Sequence, residues 1–472
     1  MSRGRLVVHG HFYQPSRADP FTGVVPADGS AAPAHDWTAR VSAECYRPNA
    51  ELGNLSRMSW DVGPTLASWL EDGDTVAYRG FVEGDLGHNG LAQPYHHTIL
   101  PLASAADRRT EIAWGLRDFA YRFGRPATGV WLPEAAVDLP TLRLLASMGI
   151  RHTILAPWQI ADRHADTRRP HRVELGDGRD IVVAAYDGGL SAAVSFEPRA
   201  TADADAFAAE RIAPLLASGT LPDDEPPIVV ICTDGELYGH HQQFRDRFLE
   251  RLLAAGAGGP DRAFDVMSLA EALAEPVPGT FRTGEIVERT SWSCHHGVAR
   301  WAGDCGCVPD GRWKGPLRAA LDRLAAGIDA ATDQAARGWD GVDPWAARDA
   351  YVDVVIGAET AEAFAARRFR ASSRASATGS FANVMEAQRW RLAMFASDGW
   401  FWDDPTRAET ASILRAAARA ARLVATEVDG ASALERRFID DLRLLTSPGH
   451  GIDGGEIYRR ALEEVGQPAF GG

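Results

Sequence analysis

Over its first 280 residues the chain alternates short apolar runs with segments of helical period, and this alternation constrains the fold more than any other feature. Strand-length runs are Arg5–Val8, Thr75–Val82, Gly129–Leu132, His152–Leu155, Ile181–Ala185, Ile228–Cys232 and Phe264–Met267. Between them, Glu111–Phe123 sets Ile112, Leu116, Phe119 and Phe123 on one helical face, and Leu139–Met148 has a similar period. After Gly239, Phe244, Phe248 and Leu252 follow at i, i+4 and i+8. Alternating strands and helices make βα units and hence a parallel sheet. Seven such runs within 280 residues suit a closed (β/α) barrel better than an open sheet.

The barrel region is predicted to span 1–280. It contains one long, weakly periodic stretch, Ser16–Ala50, read as a functional loop. A Pro/Gly break at Ala274–Gly279 leads into an irregular, Cys/His/Trp-rich connection over 281–315 that is expected to line the cleft. Residues 316–472 read as an α-helical domain, with helices near 317–337, 344–370, 381–397, 407–428 and 433–445.

Charge and composition exclude several functions. Of 49 basic residues only Lys314 is a lysine, a scarcity in keeping with GC-rich coding. No Gly-Lys-Ser/Thr exists for a phosphate-binding P-loop, and Schiff-base chemistry has only Lys314 to draw on. A net charge of −15 argues against a nucleic-acid partner, and no apolar stretch is long enough to cross a membrane. The apolar run near the start stops at His9, too short for a secretory leader. Five cysteines, an odd count in a long chain, point to reduced thiols and a cytoplasmic setting.

Three apolar runs end in polar clusters. Leu6-Val7-Val8 runs into His9-Gly10-His11, Val130-Trp131-Leu132 into Pro133-Glu134, and Ile228–Cys232 into Thr233-Asp234-Gly235-Glu236. In a parallel barrel the carboxyl ends of the strands share one rim, so Glu134 and Asp234 would meet there beside His9 and His11. Two facing carboxylates suit glycoside hydrolysis, one attacking the anomeric carbon and the other protonating the leaving oxygen. At a separation of about 5–5.5 Å they would retain configuration through a covalent glycosyl-enzyme. The ordinary alternative is that Asp234 or Glu236 caps the helix that follows. Asp187, at the end of another run, is a further cleft candidate.

These residues resemble glycoside hydrolase family 57, retaining enzymes of α-glucan metabolism with a (β/α)7-type distorted TIM-like barrel and an α-helical C-terminal domain. His9-Gly10-His11-Phe12-Tyr13-Gln14-Pro15 is similar to the family's first motif, and Trp131-Leu132-Pro133-Glu134 to its nucleophile motif. Asp234-Gly235-Glu236-Leu237-Tyr238-Gly239-His240 is similar to its acid/base motif. Ser397-Asp398-Gly399-Trp400-Phe401-Trp402-Asp403-Asp404 resembles an aromatic stretch that the helical domain lends to the cleft. The resemblance implies Glu134 as nucleophile and Asp234 as general acid/base. It implies His9, His11, Trp131, Glu236, His240, Trp400, Trp402 and Asp403 as substrate contacts, and an α-glucan or maltooligosaccharide as partner. Hydrolysis, 4-α-glucan transfer and branch formation share that chemistry and stay open. The connection 281–315 has no counterpart in the better-known amylases.

Indoles at strand ends and in irregular stretches, Trp158 and Trp292 among them, offer faces on which a sugar can stack. Cys294-His295-His296 and Cys305-Gly306-Cys307 contain zinc-ligand types but lack paired Cys-x2-Cys knuckles. They are read as reduced buried thiols, so no metal and no cofactor is expected. Two other readings stand beside the glycosidase. One is a metal-dependent polysaccharide hydrolase or deacetylase on a related barrel, which would need an acid near the His pair; the other is a catalytically silent carbohydrate-binding protein.

Overall fold

The computed structural model describes residues 4–217, 226–254, 264–274, 281–369 and 374–468. Most of the break expected at Ala274–Gly279 lies outside them. The chain forms two compact units. The first comprises residues 1–14, 27–94 and 119–292, and the second residues 15–26, 95–118 and 293–472. The first therefore runs past the expected boundary at 280, and two early stretches group with the helical part.

In the first unit, β1 (Gly4–Phe12) pairs in parallel with β2 (Ser59–Val62), which pairs with β3 (Gly90–Leu91). Bridges from Ala92 to Val130 and from Gly129 to His152 carry the order through residues 129–132 to β4 (His152–Leu155). β5 (His171–Glu174) is an antiparallel annex to β6 (Asp180–Ala185), which pairs in parallel with β4. The Asp187 amide, just past β6, donates to Val230 O at 2.7 Å on β7 (Ile228–Asp234), and β7 pairs in parallel with β1. Seven segments thus follow one another round a distorted (β/α)7 barrel whose seam lies between β6 and β7. β8 (Phe264–Val266) joins the first residues of β1, and β9 (Arg282–Thr283) extends β5. Leu6, Val8, Phe12, Val229 and Ile231 are buried, as parallel strands covered by helices require.

Two expectations are corrected. Thr75–Val82 is not a strand but part of a helix, Thr75–Gly84. Asp74 caps it by accepting from the Ala77 amide, and Ala77, Phe81 and Gly84 fall on one buried face at helical spacing. Likewise Ser16–Ala50 is not loop throughout. Asp36 accepts from the Thr38 and Ala39 amides, and helical turns then run Trp37–Val41, Ser42–Tyr46 and Arg47–Glu51.

The second unit is helical. Arg374–Ala393 and Ala408–Glu427 pack along each other and against Lys314–Ala336. The span expected as one helix over 344–370 breaks into shorter helices, including Pro344–Ala350 and Ala361–Arg368, with Gly357 at φ +74° between them. Helix Ser432–Leu442 fits expectation, and Gly454–Glu463 is additional. Trp114, Trp339, Tyr351, Phe364 and Phe381 form one of its cores. Among the described residues no helix is long and apolar enough to cross a membrane.

Candidate active site

The register of β1 sets the site. His11 lies opposite Asp61 of β2 on one side and Asp234 of β7 on the other, all near the carboxyl ends of their strands. Asp61 is fully buried and its two oxygens are divided between the histidines. Oδ1 lies 2.8 Å from His9 Nε2 and Oδ2 lies 2.8 Å from His11 Nδ1. Gln93 Nε2 also donates to Oδ2, and Ser59 Oγ lies 3.2 Å from His9 Nδ1. Burial alone would lower the His11 pKa, yet the Asp61 carboxylate, helped by Asp234 and Glu236, raises it to about 9. His11 is therefore an imidazolium at neutral pH. Burial alone would raise the Asp61 pKa, and the His11 charge reverses this and lowers it.

The expectation that His9 and Trp131 touch sugar directly is corrected. Both are completely buried, and both ring nitrogens of His9 are engaged. Trp131 stacks beneath both imidazoles, at 5.5 Å from His9 and 4.9 Å from His11. These two side chains set the position of Asp61 and His11. An acid does stand beside the His pair, Asp61, supplied by β2 and not by the residues that follow His11.

Glu134 sits where the chain turns sharply after residues 129–132. It adopts φ +57° and ψ +22°, and Ala135 follows at φ +47°. Two consecutive left-handed non-glycine residues cost about 1–2 kcal/mol each, so other contacts must hold them. The Trp292 amide donates to Glu134 O at 2.9 Å and its indole N–H to Glu134 Oε2 at 3.1 Å. Gln159 Nε2 donates to Ala135 O at 2.7 Å. The Trp292 ring meets Trp131 edge-on at 4.8 Å and His11 at 6.0 Å, so one side chain ties Glu134 to the histidine rung.

Asp234 stands at the start of the single helical turn Gly235–Leu237, but its side chain makes no capping hydrogen bond there, and the longer helix begins only at Arg245. Solvent reaches its side chain, while closely surrounding protein raises its pKa. Asp61 adds to the rise, and His11 and His241 oppose it. Glu236 is buried. Desolvation and the Asp234 charge lift its pKa to about 7, against the pull of Tyr46 and His11. Tyr46 Oη donates to Glu236 Oε1 at 2.6 Å, and the Tyr13 amide donates to the same oxygen at 3.3 Å. His240 Nδ1 lies 2.5 Å from Glu44 Oε2, and its ring meets Trp37 edge-on at 6.2 Å. The turns of residues 37–51 thus supply Glu44 and Tyr46 to the acid cluster. Gly239 allows this approach: with φ +145°, a Cβ there would lie 2.3 Å from Glu44 O.

The remaining expected residues fall elsewhere. Asp187 is the cap of Gly188–Phe196, accepting from the Leu190 amide at 2.8 Å. Trp158 is 44% exposed and meets Tyr186 edge-on at 6.1 Å. Trp400, Trp402 and Asp403 belong to the second unit. There Trp400 is buried, which removes its ring faces from a ligand, whereas Trp402 is 40% exposed beneath Arg407 and Asp403 is exposed. Asp61, Glu44, Tyr46 and Gln93 were not expected. Asp36 and the spacing of Val41, Cys45 and Asn49 carried a readable helix signal for two of them.

Residues 90–257 match the model of glycosyl hydrolase family 57, a segment that includes Glu134, Asp234, Glu236 and His240. Residues 310–465 match a domain of unknown function, DUF3536. No curated protein is similar enough in sequence to count as a match. Several solved structures share the fold. An exo-type maltose-forming amylase of Pyrococcus sp. ST04 is 15% identical with a TM-score of 0.71, the match covering 97% of this chain and 88% of that one. A family 57-type branching enzyme of Pyrococcus horikoshii is 18% identical with a TM-score of 0.60, covering 98% and 94%. A 4-alpha-glucanotransferase of Thermococcus litoralis is 15% identical with a TM-score of 0.58, covering 94% and 60%.

Proposed function

We propose, for a chain whose residues 90–257 belong to glycosyl hydrolase family 57, that the barrel rim cleaves α-glucans with retention of configuration and passes the glycosyl group to water or to a sugar hydroxyl. The observation that carries this reading is the arrangement around His11. Asp234 is its strand-register neighbour on β7, and Trp292 links Glu134 to its ring.

In the first step a Glu134 oxygen attacks the anomeric carbon, the glycosidic C–O bond breaks, and Asp234 gives its proton to the leaving oxygen. Its raised pKa, to which the close-packed protein and Asp61 contribute, suits a group that must hold a proton until then. In the second step water or an acceptor hydroxyl attacks the glycosyl ester, Asp234 takes that proton back, and Glu134 leaves as carboxylate. The His11 imidazolium places a fixed positive charge between the carboxylates of Asp61 and Asp234. It keeps so acidic a cluster compact in a partly desolvated site. Trp158, on the same unit, is exposed and available as a sugar contact.

The test is incubation with amylose and maltooligosaccharides, wild type beside Glu134→Gln and Asp234→Asn. The expected result is a product ladder that both substitutions reduce by several orders of magnitude. Products longer than the substrate identify transfer, and only shorter ones identify hydrolysis. With an α-glucosyl fluoride, Asp234→Asn should accumulate a glycosyl adduct on Glu134 visible by peptide mass mapping. Full activity in either variant overturns the assignment.

A further inference from the structure

The second unit holds a cluster that the glycosidase chemistry does not use. Cys294 and His296 precede the short helical turn Gly297–Trp301, and Cys305 and Cys307 follow it, just before helix Lys314–Ala336. All three cysteines are free of disulfides. We propose that Cys294, His296, Cys305 and Cys307 bind one zinc ion as a closed, structural tetrahedral site.

The geometry carries the assignment. One ligand atom from each of the four residues lies within 4.8 Å of all the others. Cys294 Sγ is 3.4 Å from Cys307 Sγ and 3.9 Å from Cys305 Sγ, and His296 Nδ1 is 3.3 Å from Cys307 Sγ. Tetrahedral zinc, with Zn–S near 2.3 Å and Zn–N near 2.05 Å, requires S···S edges of about 3.8 Å and S···N edges of about 3.5 Å. The two S···S distances straddle their ideal and the S···N distance falls slightly below its own, so an ion could enter with small side-chain adjustments. A two-iron cluster would need its ligands in two pairs set apart by the width of the cluster, and these four atoms form one compact set. Three thiolates and an imidazole are also a recognised zinc donor set. With all four positions filled by protein, no open position remains for a substrate, which makes the site structural.

A second, independent observation concerns charge. Lys314, the only lysine in the chain, is 1% exposed, and its Nζ has no hydrogen-bond partner. Nζ lies 5.6 Å from the centre of the Trp313 ring, and an ammonium buried without a hydrogen-bond partner is costly. Burial and Arg300 depress its pKa, while Cys305, Cys294 and Cys307 act in the opposite sense, so the three sulfurs are within its electrostatic reach. Arg300 is within electrostatic reach of both Lys314 and the Cys307 sulfur. Zinc with three thiolates carries one net negative charge, which supplies the counter-charge that Lys314 and Arg300 face. Sequence spacing concealed the site because the ligands pair as Cys-x-His and Cys-x-Cys, and only the turn between them brings the pairs together. Of the three thiols expected to be buried, only Cys294 is buried; Cys305 is partly exposed and Cys307 exposed.

The experiment uses the full chain, purified without a metal-binding tag, loaded with zinc salt and passed through a desalting column. Elemental analysis should find one zinc per chain, falling at least tenfold in the Cys305→Ser/Cys307→Ser variant. An organomercurial titrated into the wild type should release that zinc in step with thiol modification, a readout that does not depend on the variant folding. Cobalt added in place of zinc should give thiolate-to-cobalt charge-transfer absorption. Three outcomes would overturn the proposal: a wild type retaining under about a tenth of an equivalent while all three thiols react freely with Ellman's reagent; a disulfide between any two of these cysteines in freshly purified protein; or a folded double variant that keeps the full equivalent.

Discussion

Replacing Asp61 by asparagine tests the electrostatic logic of the rim. Asn keeps the shape of Asp61 but removes the charge between His9 and His11. His11 is held at about 9 against an ordinary 6.5, and its burial would by itself push the other way. That difference corresponds to roughly 3 kcal/mol of preference for the imidazolium in the folded chain. Because the folded pKa is the higher one, this stabilisation is complete below about pH 6.5 and is lost as the pH rises toward 9. In wild type the His11 ring, followed by carbon-13 histidine NMR and identified with His11→Gln, should titrate near 9. In Asp61→Asn it should titrate at least about one pH unit lower. Urea unfolding at about pH 6 and about pH 9.5 gives the second readout: the stability lost between them should shrink by at least about 1.4 kcal/mol in the variant. An unshifted His11 titration, or a pH-dependent loss as large as in wild type, would refute the claim that Asp61 holds the charge.

Three further outcomes follow from the same geometry. The Asp234 charge helps lift the Glu236 pKa to about 7, so Asp234→Asn should move the Glu236 titration, followed by carboxyl carbon-13 NMR, to lower pH by roughly 0.5–1 unit; an unmoved or upward-moved titration contradicts the pairing. Trp292→Phe keeps a ring against Trp131 but deletes the donor to Glu134 Oε2, so kcat should fall roughly 10–100-fold with little change in KM, measured on a single maltooligosaccharide. Gly239→Ala forces a Cβ against Glu44 O in a left-handed conformation, which should lower unfolding stability by roughly 2–4 kcal/mol in denaturant titration.

The parts of this molecule legible in its sequence are those that interrupt a pattern. His9-Gly10-His11, Glu134 and Asp234 each end an apolar strand run, and an uncompensated polar group at that point is visible without coordinates. The parts that stayed hidden satisfy one another across the fold. Ser59–Val62 reads as an unremarkable stretch with an acid in its middle. It is a fully buried strand only because His9 and His11, some fifty residues earlier, take up both oxygens of Asp61. Thr75–Val82 misleads in the opposite direction: its β-branched and aromatic residues suit a strand, but the Asp74 cap and the buried face at Ala77, Phe81 and Gly84 prevail, since tertiary burial outweighs propensity. Trp292 lies 158 residues from the Glu134 it clasps, and the strain at Glu134 and Ala135 has no sequence signal beyond Pro133. What the structure adds is therefore the support: a buried acid, an indole donor and a helical turn, which hold the visible carboxylates in a conformation they would not adopt alone.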